Sequence, residues 1–286
     1  MKLLVTGSTG FIGKNLCKAI SERDVTIFGL STSNGTNLAK DSLSNFEKVD
    51  LVLHLAAKTF VPNSFKNPEI IYRENYLSML NILEYCRLNS IKKLIFLSSY
   101  VYGKPDYLPI DEKHKTHIEN PYGRSKLHCE SLCNSYAQDY GLNIIVLRPF
   151  NIFGNGQNNV FLFPTIINQL LESKKDIIEV ENLKPKRDYL YINDFIDILT
   201  KIIFSYDITG YKIFNIGSGI SYSVKEIISI IMNTFGINKK YIDKNIVRKN
   251  EIMDCYANIS KVKKEFSWEP KYNLVQGITD MKKSLL

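Results

Sequence analysis

The sequence lacks any apolar run of membrane length. Its first such run, "KLLVTG", breaks at Gly7, short of a signal-peptide core and far short of the ~20 residues a spanning helix needs, so no membrane partner and a cytoplasmic location are expected. Cysteine is sparse: Cys17, Cys86, Cys129, Cys133 and Cys255 make an odd five, and only Cys129 and Cys133 lie one helical turn apart. Without a CxxC or a His-rich partner spacing, disulfides and zinc give way to buried thiols, and no metal is expected. Acidic residues are the minority, 29 against 37 Lys and Arg, for a net charge of +8. The basic runs "SKK" and "NKKY" are nevertheless short, and no basic block with interleaved aromatics occurs, so the excess reads as a solvated surface and not as a nucleic-acid arm. Internal repeats and low-complexity tracts are also missing.

What is present is a rhythm. β-branched or leucine-rich runs ("KLLVTG", "VTIFGL", "DLVLHLA", "KKLIFLSS", "NIIVLRP") alternate with amphipathic stretches ("FIGKNLCKAISER", "PEIIYRENYLSMLNILEYCRLN", "PYGRSKLHCESLCNSYAQDYG"). Alternation of this kind predicts an α/β fold, a doubly wound parallel Rossmann sheet covered by helices on both faces. After "LRPFNIFGNGQ" the rhythm degrades, and a smaller C-terminal α/β lobe is expected. The boundaries read as 1–150 for the sheet domain, completed by 188–218, and 151–286 mainly for the lobe. At 286 residues and 44% apolar, the chain has enough material for a substantial core.

"LLVTGSTGFIGKNL" puts Gly7, Gly10 and Gly13 directly after a strand and at the opening of a helix. A helix N-terminus offers free N–H groups and a partial positive charge to a pyrophosphate, and missing Cβ atoms let backbone approach it closely. In that setting the triplet predicts a dinucleotide site, with Thr9, Phe11 and Ile12 of the same loop as further cofactor contacts. The GxxGxxG spacing resembles that of the short-chain dehydrogenase/reductase superfamily. An acid is expected about 20 residues on to hold the ribose of NAD. The second strand ends instead in "GLSTSNG", where Ser31, Thr32 and Ser33 can hydrogen-bond a ribose or a 2′-phosphate and nothing repels the phosphate. NADP is therefore preferred over NAD. Thr32 to Val49 is too short for a full strand and helix, so the third βα unit is expected to be truncated.

Tyr-x-x-x-Lys occurs twice. Around Tyr100 and Lys104, Gly103 and the following Pro105 rule out a helix that would stack the two. Tyr122 and Lys126 instead follow Pro121, a good first-turn residue, and lead into a helix that ends at Gly141. A phenol with its ordinary pKa of about 10 is a poor base, and a cation one turn away, joined by the positive charge of an oxidised nicotinamide, favours its ionised form. "LIFLSSYVYG" adds hydroxyls at a strand's carboxyl end, where open α/β sheets bind ligands.

Together "TGSTGFIG", "DLVLHLAA", "SSYVYG", "PYGRSK", "LRPFNIFGNGQ", "RDYLYINDF", "FNIGSG" and "YANISKVKKEFSWEPK" resemble the extended short-chain dehydrogenase/reductases, the NAD-dependent epimerase/dehydratase group acting on nucleotide sugars. The blocks run in order from Lys2 to about Ile278. The resemblance implies a catalytic set of Ser98, Tyr122 and Lys126. Ser98 is preferred to Ser99 because the family's hydroxyl lies three positions before the Val of its VYG motif, here Val101. It implies cofactor contacts at Gly7, Thr9, Gly10, Phe11, Ile12, Gly13, Ser31, Leu55, Ala56, Ala57, Asn75, Tyr122 and Lys126, Lys126 holding the nicotinamide ribose. Ser99, Asn151, Arg187 and Arg248 fall where substrate is bound, the arginines as a diphosphate clamp because guanidinium matches phosphate oxygens. His54 is expected to be a core histidine, and His114 and His117 loop residues.

The implied substrate is a nucleoside-diphosphate sugar, and the implied assembly a homodimer formed by helices Pro68 to Leu88 and Tyr122 to Tyr140. Family dehydratases need Asp-Glu directly after the catalytic hydroxyl, but Ser99 and Tyr100 stand there, which disfavours dehydration. The cysteine and histidine of the fucose-synthase type are not evident near Tyr100 to Pro109 or Asn151 to Pro164. Reduction of a 4-keto-(6-deoxy)hexose by NADPH, in bacterial-type surface polysaccharide precursor synthesis, is the expectation. 4-Epimerisation with kept NAD, as in UDP-glucose 4-epimerases, is the alternative. A non-catalytic NADP-binding regulator is the remote one, since such relatives usually lose the tyrosine or lysine.

Overall fold

The structure is a computed structural model describing residues 1–285 apart from Phe60, Lys175, Tyr206, Ile208 and Lys249. It forms two compact units. The first comprises Met1–Gly103, Lys115–Pro149 and Ile196–Asn215, and the second Lys104–His114, Phe150–Phe195 and Ile216–Leu286.

In the first unit, strands β1 (Lys2–Thr6), β2 (Thr26–Leu30), β3 (Leu51–His54), β4 (Lys93–Leu97), β5 (Asn143–Pro149) and β9 (Tyr211–Ile216) form one sheet in the order β2-β1-β3-β4-β5-β9. The pairings from β2 through β5 are parallel. Leu3, Leu4 and Val5, like Ile144 to Leu147, are wholly buried although successive side chains point to opposite faces, so both faces are covered. Between β1 and β2 runs helix α1 (Phe11–Ala19); after β3 come α2 (Val61–Lys66) and α3 (Pro68–Leu88), and after β4 comes α4 (Pro121–Tyr140). One face packs Leu4, Val52, Leu94 and Ile144 against Met79, Ile82 and Cys86 of α3 and Cys129 and Cys133 of α4. Apolar residues at helical spacing on two helices thus meet alternate residues of four strands, which fixes where α4 sits. Past a single 3₁₀ turn at Thr32–Asn34 the chain forms only turns and bends up to Asp50, so the unit expected after β2 is indeed truncated.

The second unit carries β6 (Asn151–Phe153), β8 (Lys186–Tyr191) and β10 (Ser221–Ser223) as a mixed sheet in the order β10-β8-β6. A two-stranded sheet pairs β7 (Ile177–Val180) with β11 (Lys240–Asp243). Helices α5 (Leu162–Leu171), α7 (Val224–Phe235), α8 (Ser260–Phe266) and α9 (Leu274–Lys283) complete it, and α6 (Ile192–Ser205) begins here and ends in the first unit. Asp188 organises it: its fully buried carboxylate accepts hydrogen bonds from Ser218 N and Oγ, Gly219 N and Ala257 N at 2.6–3.1 Å. Among the described residues no helix is long and apolar enough to cross a membrane.

Candidate active site

The glycine loop is shaped by contacts that exclude side chains. Gly7 has φ +70°, and a Cβ on it would lie 2.9 Å from Ala56 N; a Cβ on Gly13 would lie 2.3 Å from Gly7 O. Gly10 caps α1 in an extended conformation. The N–H groups of Phe11, Ile12 and Gly13 have no intrahelical acceptor by helix geometry, and together with the helix dipole they make an anion cradle. A pyrophosphate fits this cradle. Beyond it, Thr9 Oγ1 lies 2.6 Å from Ser33 Oγ, and Ser33 Oγ lies 3.0 Å from Ser31 Oγ. These three hydroxyls stand at the end of β2, and Ser33 rather than Ser31 touches the glycine loop. Leu55, Ala56 and Ala57 follow β3 beside it, half-buried.

Asn75 ties that segment to α4. Its side chain accepts from Lys58 N at 2.8 Å and donates to Ser125 Oγ at 2.8 Å, and Ser125 Oγ donates to Tyr122 O at 2.7 Å. The helix α4 starts where the sequence dictates. Asn120 Oδ1 caps Gly123 N at 2.7 Å, Pro121 fills the first turn, and Gly141 closes the end in the left-handed region.

From α4, Lys126 Nζ donates to Leu97 O at 2.6 Å and stands 4.6 Å from the Phe96 ring centre. Burial pushes this ammonium down to about 8, against the pull of Cys129 and Glu130. Burial likewise pushes the Tyr122 phenol up to about 12, and a hydrogen bond with Ser99 works the other way. Burial is thus the largest influence on both groups, raising the phenol and lowering the ammonium. His54, fully buried and stacked on Phe96, shares a 2.8 Å hydrogen bond between its Nδ1 and Thr6 Oγ1. Burial, with Lys126 adding repulsion, pushes the imidazole down to about 3.

The two adjacent serines have different partners. Ser98 Oγ donates to Glu130 Oε1 at 2.5 Å, and the residue is buried. The hydroxyl that meets Tyr122 is that of Ser99. Consecutive residues leaving a strand point to opposite sides, so the two hydroxyls meet different partners.

Glu130 is a residue that motif reading missed. Next turn after Lys126, it accepts three hydrogen bonds from Arg148 at 2.5–3.2 Å, and Arg148 Nη1 reaches Tyr102 Oη at 3.0 Å. A glutamate four residues after the lysine, on a helix face otherwise made of cysteines, was the available signal.

In the second unit Asn151 Nδ2 donates to Asp188 O at 3.0 Å. Arg187 is mostly buried and already bonded to Glu251 at 3.0 Å and to Ile252 O. Arg248 is exposed and pairs with Glu181 at 2.7 Å. His114 is buried with Nε2 accepting from Asp106 N at 2.8 Å, and His117 is exposed. No His, Cys, Asp or Glu group suited to a metal occurs among the described residues.

A model of the NAD dependent epimerase/dehydratase family matches residues 3–217. A GDP-6-deoxy-D-talose 4-dehydrogenase from Aggregatibacter actinomycetemcomitans is 32% identical, the alignment covering 98% of this chain and 96% of the relative. Among solved structures, RMD from Pseudomonas aeruginosa complexed with NADPH superposes with a TM-score of 0.89 at 27% identity, covering 99% of this chain and 97% of the other. UDP-glucose 4-epimerase from Bifidobacterium longum in complex with NAD+ and UDP gives 0.88 at 25% identity, over 98% and 97%.

Proposed function

From the premise that the chain belongs to the NAD dependent epimerase/dehydratase family and is an NAD(P)-dependent nucleotide-sugar enzyme, we propose that it reduces a nucleoside-diphosphate 4-keto-(6-deoxy)hexose at C4 with NADPH, as a step toward surface polysaccharide precursors. The observation that carries the choice is the cluster of Thr9, Ser31 and Ser33 hydroxyls at the end of β2, where no carboxylate stands to repel a 2′-phosphate.

The glycine loop and the first turn of α1 would hold the pyrophosphate, the hydroxyl cluster the adenosine ribose, and Lys126 the nicotinamide ribose. NADPH, when bound, supplies hydride to the C4 carbonyl carbon. As the carbonyl π pair moves onto oxygen, Tyr122 delivers its phenolic proton to that oxygen and Ser99 donates a hydrogen bond to it. With its phenol held high, Tyr122 is protonated across the neutral range and suited to act as the acid. Asn151 and Arg248 would meet the diphosphate. Arg187 would do so by exchanging Glu251 for phosphate oxygens.

The cofactor-binding role is assigned to the first unit and the nucleotide-sugar role mainly to the second, and assembly to a homodimer through α3 and α4, where Ile70 and Tyr76 are exposed. The likeness to an epimerase complexed with NAD+ and UDP favours a second reading, 4-epimerisation, in which Tyr122 first accepts the C4 hydroxyl proton. Turnover of NADPH and of NADH with a panel of nucleotide 4-keto sugars tests the proposal. Stoichiometric NAD that copurifies and stays bound through turnover would overturn it in favour of epimerisation.

A further inference from the structure

Successive turns of α4 place Tyr122, Lys126 and Glu130 four residues apart, and each meets a different atom at the end of β4. Tyr122 hydrogen-bonds Ser99, Lys126 Nζ donates to Leu97 O, and Glu130 Oε1 accepts from Ser98 Oγ. The helix is therefore stapled to three consecutive residues of one strand end. The last staple is the rigid one. Glu130 is 3% and Arg148 4% exposed, and the guanidinium, carried on β5, grips both carboxylate oxygens. Behind Arg148 the network continues through Tyr102 Oη to Asn215 Oδ1 at 2.5 Å. Ser98 N also donates to Leu147 O, which fixes the backbone of Ser98 from the β5 side.

An ion pair removed from water is costly to make, and replacing it by apolar groups often leaves a protein as stable or more so. Stability alone is a poor reason for one beside the catalytic lysine. We propose that Glu130, locked by Arg148, is a positioning residue: by holding Ser98 it sets the register in which Leu97 O receives Lys126 and Ser99 turns to Tyr122. Its negative charge also favours the protonated form of Lys126. The inference rests on the assignment of Tyr122 and Lys126 given above, and it adds residues that the motif reading did not assign.

The charged and titratable groups facing Lys126 come from two elements. His54 arrives from β3 and is neutral at working pH; Cys129, Glu130 and Cys133 lie on α4 itself, with the Phe96 ring below. Glu130 is thus the anion on the ammonium's side at neutral pH, because the thiols of Cys129 and Cys133 are pushed up by burial and stay protonated.

The test uses Glu130→Gln, which keeps an acceptor for Ser98 but loses the charge, and Ser98→Ala, which keeps the ion pair but removes the staple. In the full chain without added cofactor, the Lys126 ammonium is titrated by lysine side-chain NMR, assigned with Lys126→Met. Glu130→Gln is expected to lower its midpoint by about one unit. In turnover with NADPH and the nucleotide 4-keto sugar that the panel identifies, Ser98→Ala is expected to lower kcat about tenfold with KM within twofold. Ser98→Thr is expected to restore most of the loss. A Lys126 midpoint unchanged in Glu130→Gln, together with wild-type kcat in Ser98→Ala, would overturn the proposal. So would losses that only track the melting temperature and vanish on cooling. If Glu130→Gln does not fold, the kcat split and threonine rescue at Ser98 decide alone. Full activity in Tyr122→Phe would instead remove the assigned reaction, leaving the NMR titration to judge Glu130.

Discussion

Stability should fall on mild acidification because of one imidazole. His54 is held at about 3 in the fold, against an ordinary value of 6.5, because it is buried and faces Lys126. Above pH 6.5 it is neutral in both states and costs nothing. As pH drops below 6.5 the unfolded chain takes up a proton that the folded chain refuses, so the unfolded state is favoured progressively down to about pH 3. At pH 5 the difference amounts to about 2 kcal/mol, from 1.36 kcal/mol per unit of titration that the fold forgoes. His54→Asn places an amide near the Nδ1 position, where it can meet Thr6 Oγ1 without titrating. Urea unfolding at pH 7, 6 and 5 should therefore show the wild type losing about 2 kcal/mol more than the variant across that range. Glu84, held at about 2 by Arg87 and Tyr136, is lost only as pH falls through 4.5 and lower, and so stays outside the window. Lys126 is charged in both states throughout it. Parallel stability curves for the two proteins would refute the reasoning, whatever the absolute stability of the variant.

Tyr122→Phe and Ser99→Ala should each lower kcat by about 100-fold or more with modest change in KM, the loss expected on removing a positioned proton donor or its partner; steady-state NADPH oxidation reads both. Gly13→Ala drives a Cβ to 2.3 Å from Gly7 O, so the loop must shift, and NADPH affinity by fluorescence titration should fall at least tenfold (about 1.4 kcal/mol). Ser33→Asp places a carboxylate against Thr9 and should raise the KM for NADPH by about tenfold while leaving that for NADH nearly unchanged, through like-charge repulsion of a 2′-phosphate. In the second unit, Asp188→Asn replaces one carboxylate acceptor by a donor facing backbone N–H groups, and a loss of about 2 kcal/mol in thermal or urea unfolding is expected.

The parts of this protein that the sequence makes legible are those governed by local rules. The inner strands β1, β3, β4 and β5 of the first unit are buried on both faces, so they read as unbroken apolar stretches, and Pro121, Asn120 and Gly141 mark α4 to within a residue. The glycine loop reads well because Gly10 and Gly13 answer collisions within the loop, although Gly7 answers one with Ala56 after β3. Long-range pairing is what stays hidden. Nothing local says that residues 104–114 join the second unit, that Arg187 will find Glu251, or that Asp188 will gather the backbone near 218 and 257. Burial is hidden for a similar reason: helical spacing places Lys126 one turn from Tyr122, but the desolvation that raises the phenol and lowers the ammonium is a property of the packed unit.

Ser98 and Ser99 show how sharply these two kinds of information divide. Adjacent residues of one type differ in role only through what approaches from either side. On one side stands the buried Glu130–Arg148 pair, which demands another donor for its short-bonded oxygen; on the other stands a phenol. An unpaired lone pair on a buried carboxylate is expensive, so the ion pair claims whichever hydroxyl points inward. The neighbouring hydroxyl, left by strand alternation on the opposite side, is the one available to Tyr122. If Glu130 holds Ser98 as proposed, a change at Glu130 should be read first in the behaviour of Ser99 and Lys126, before any loss of fold.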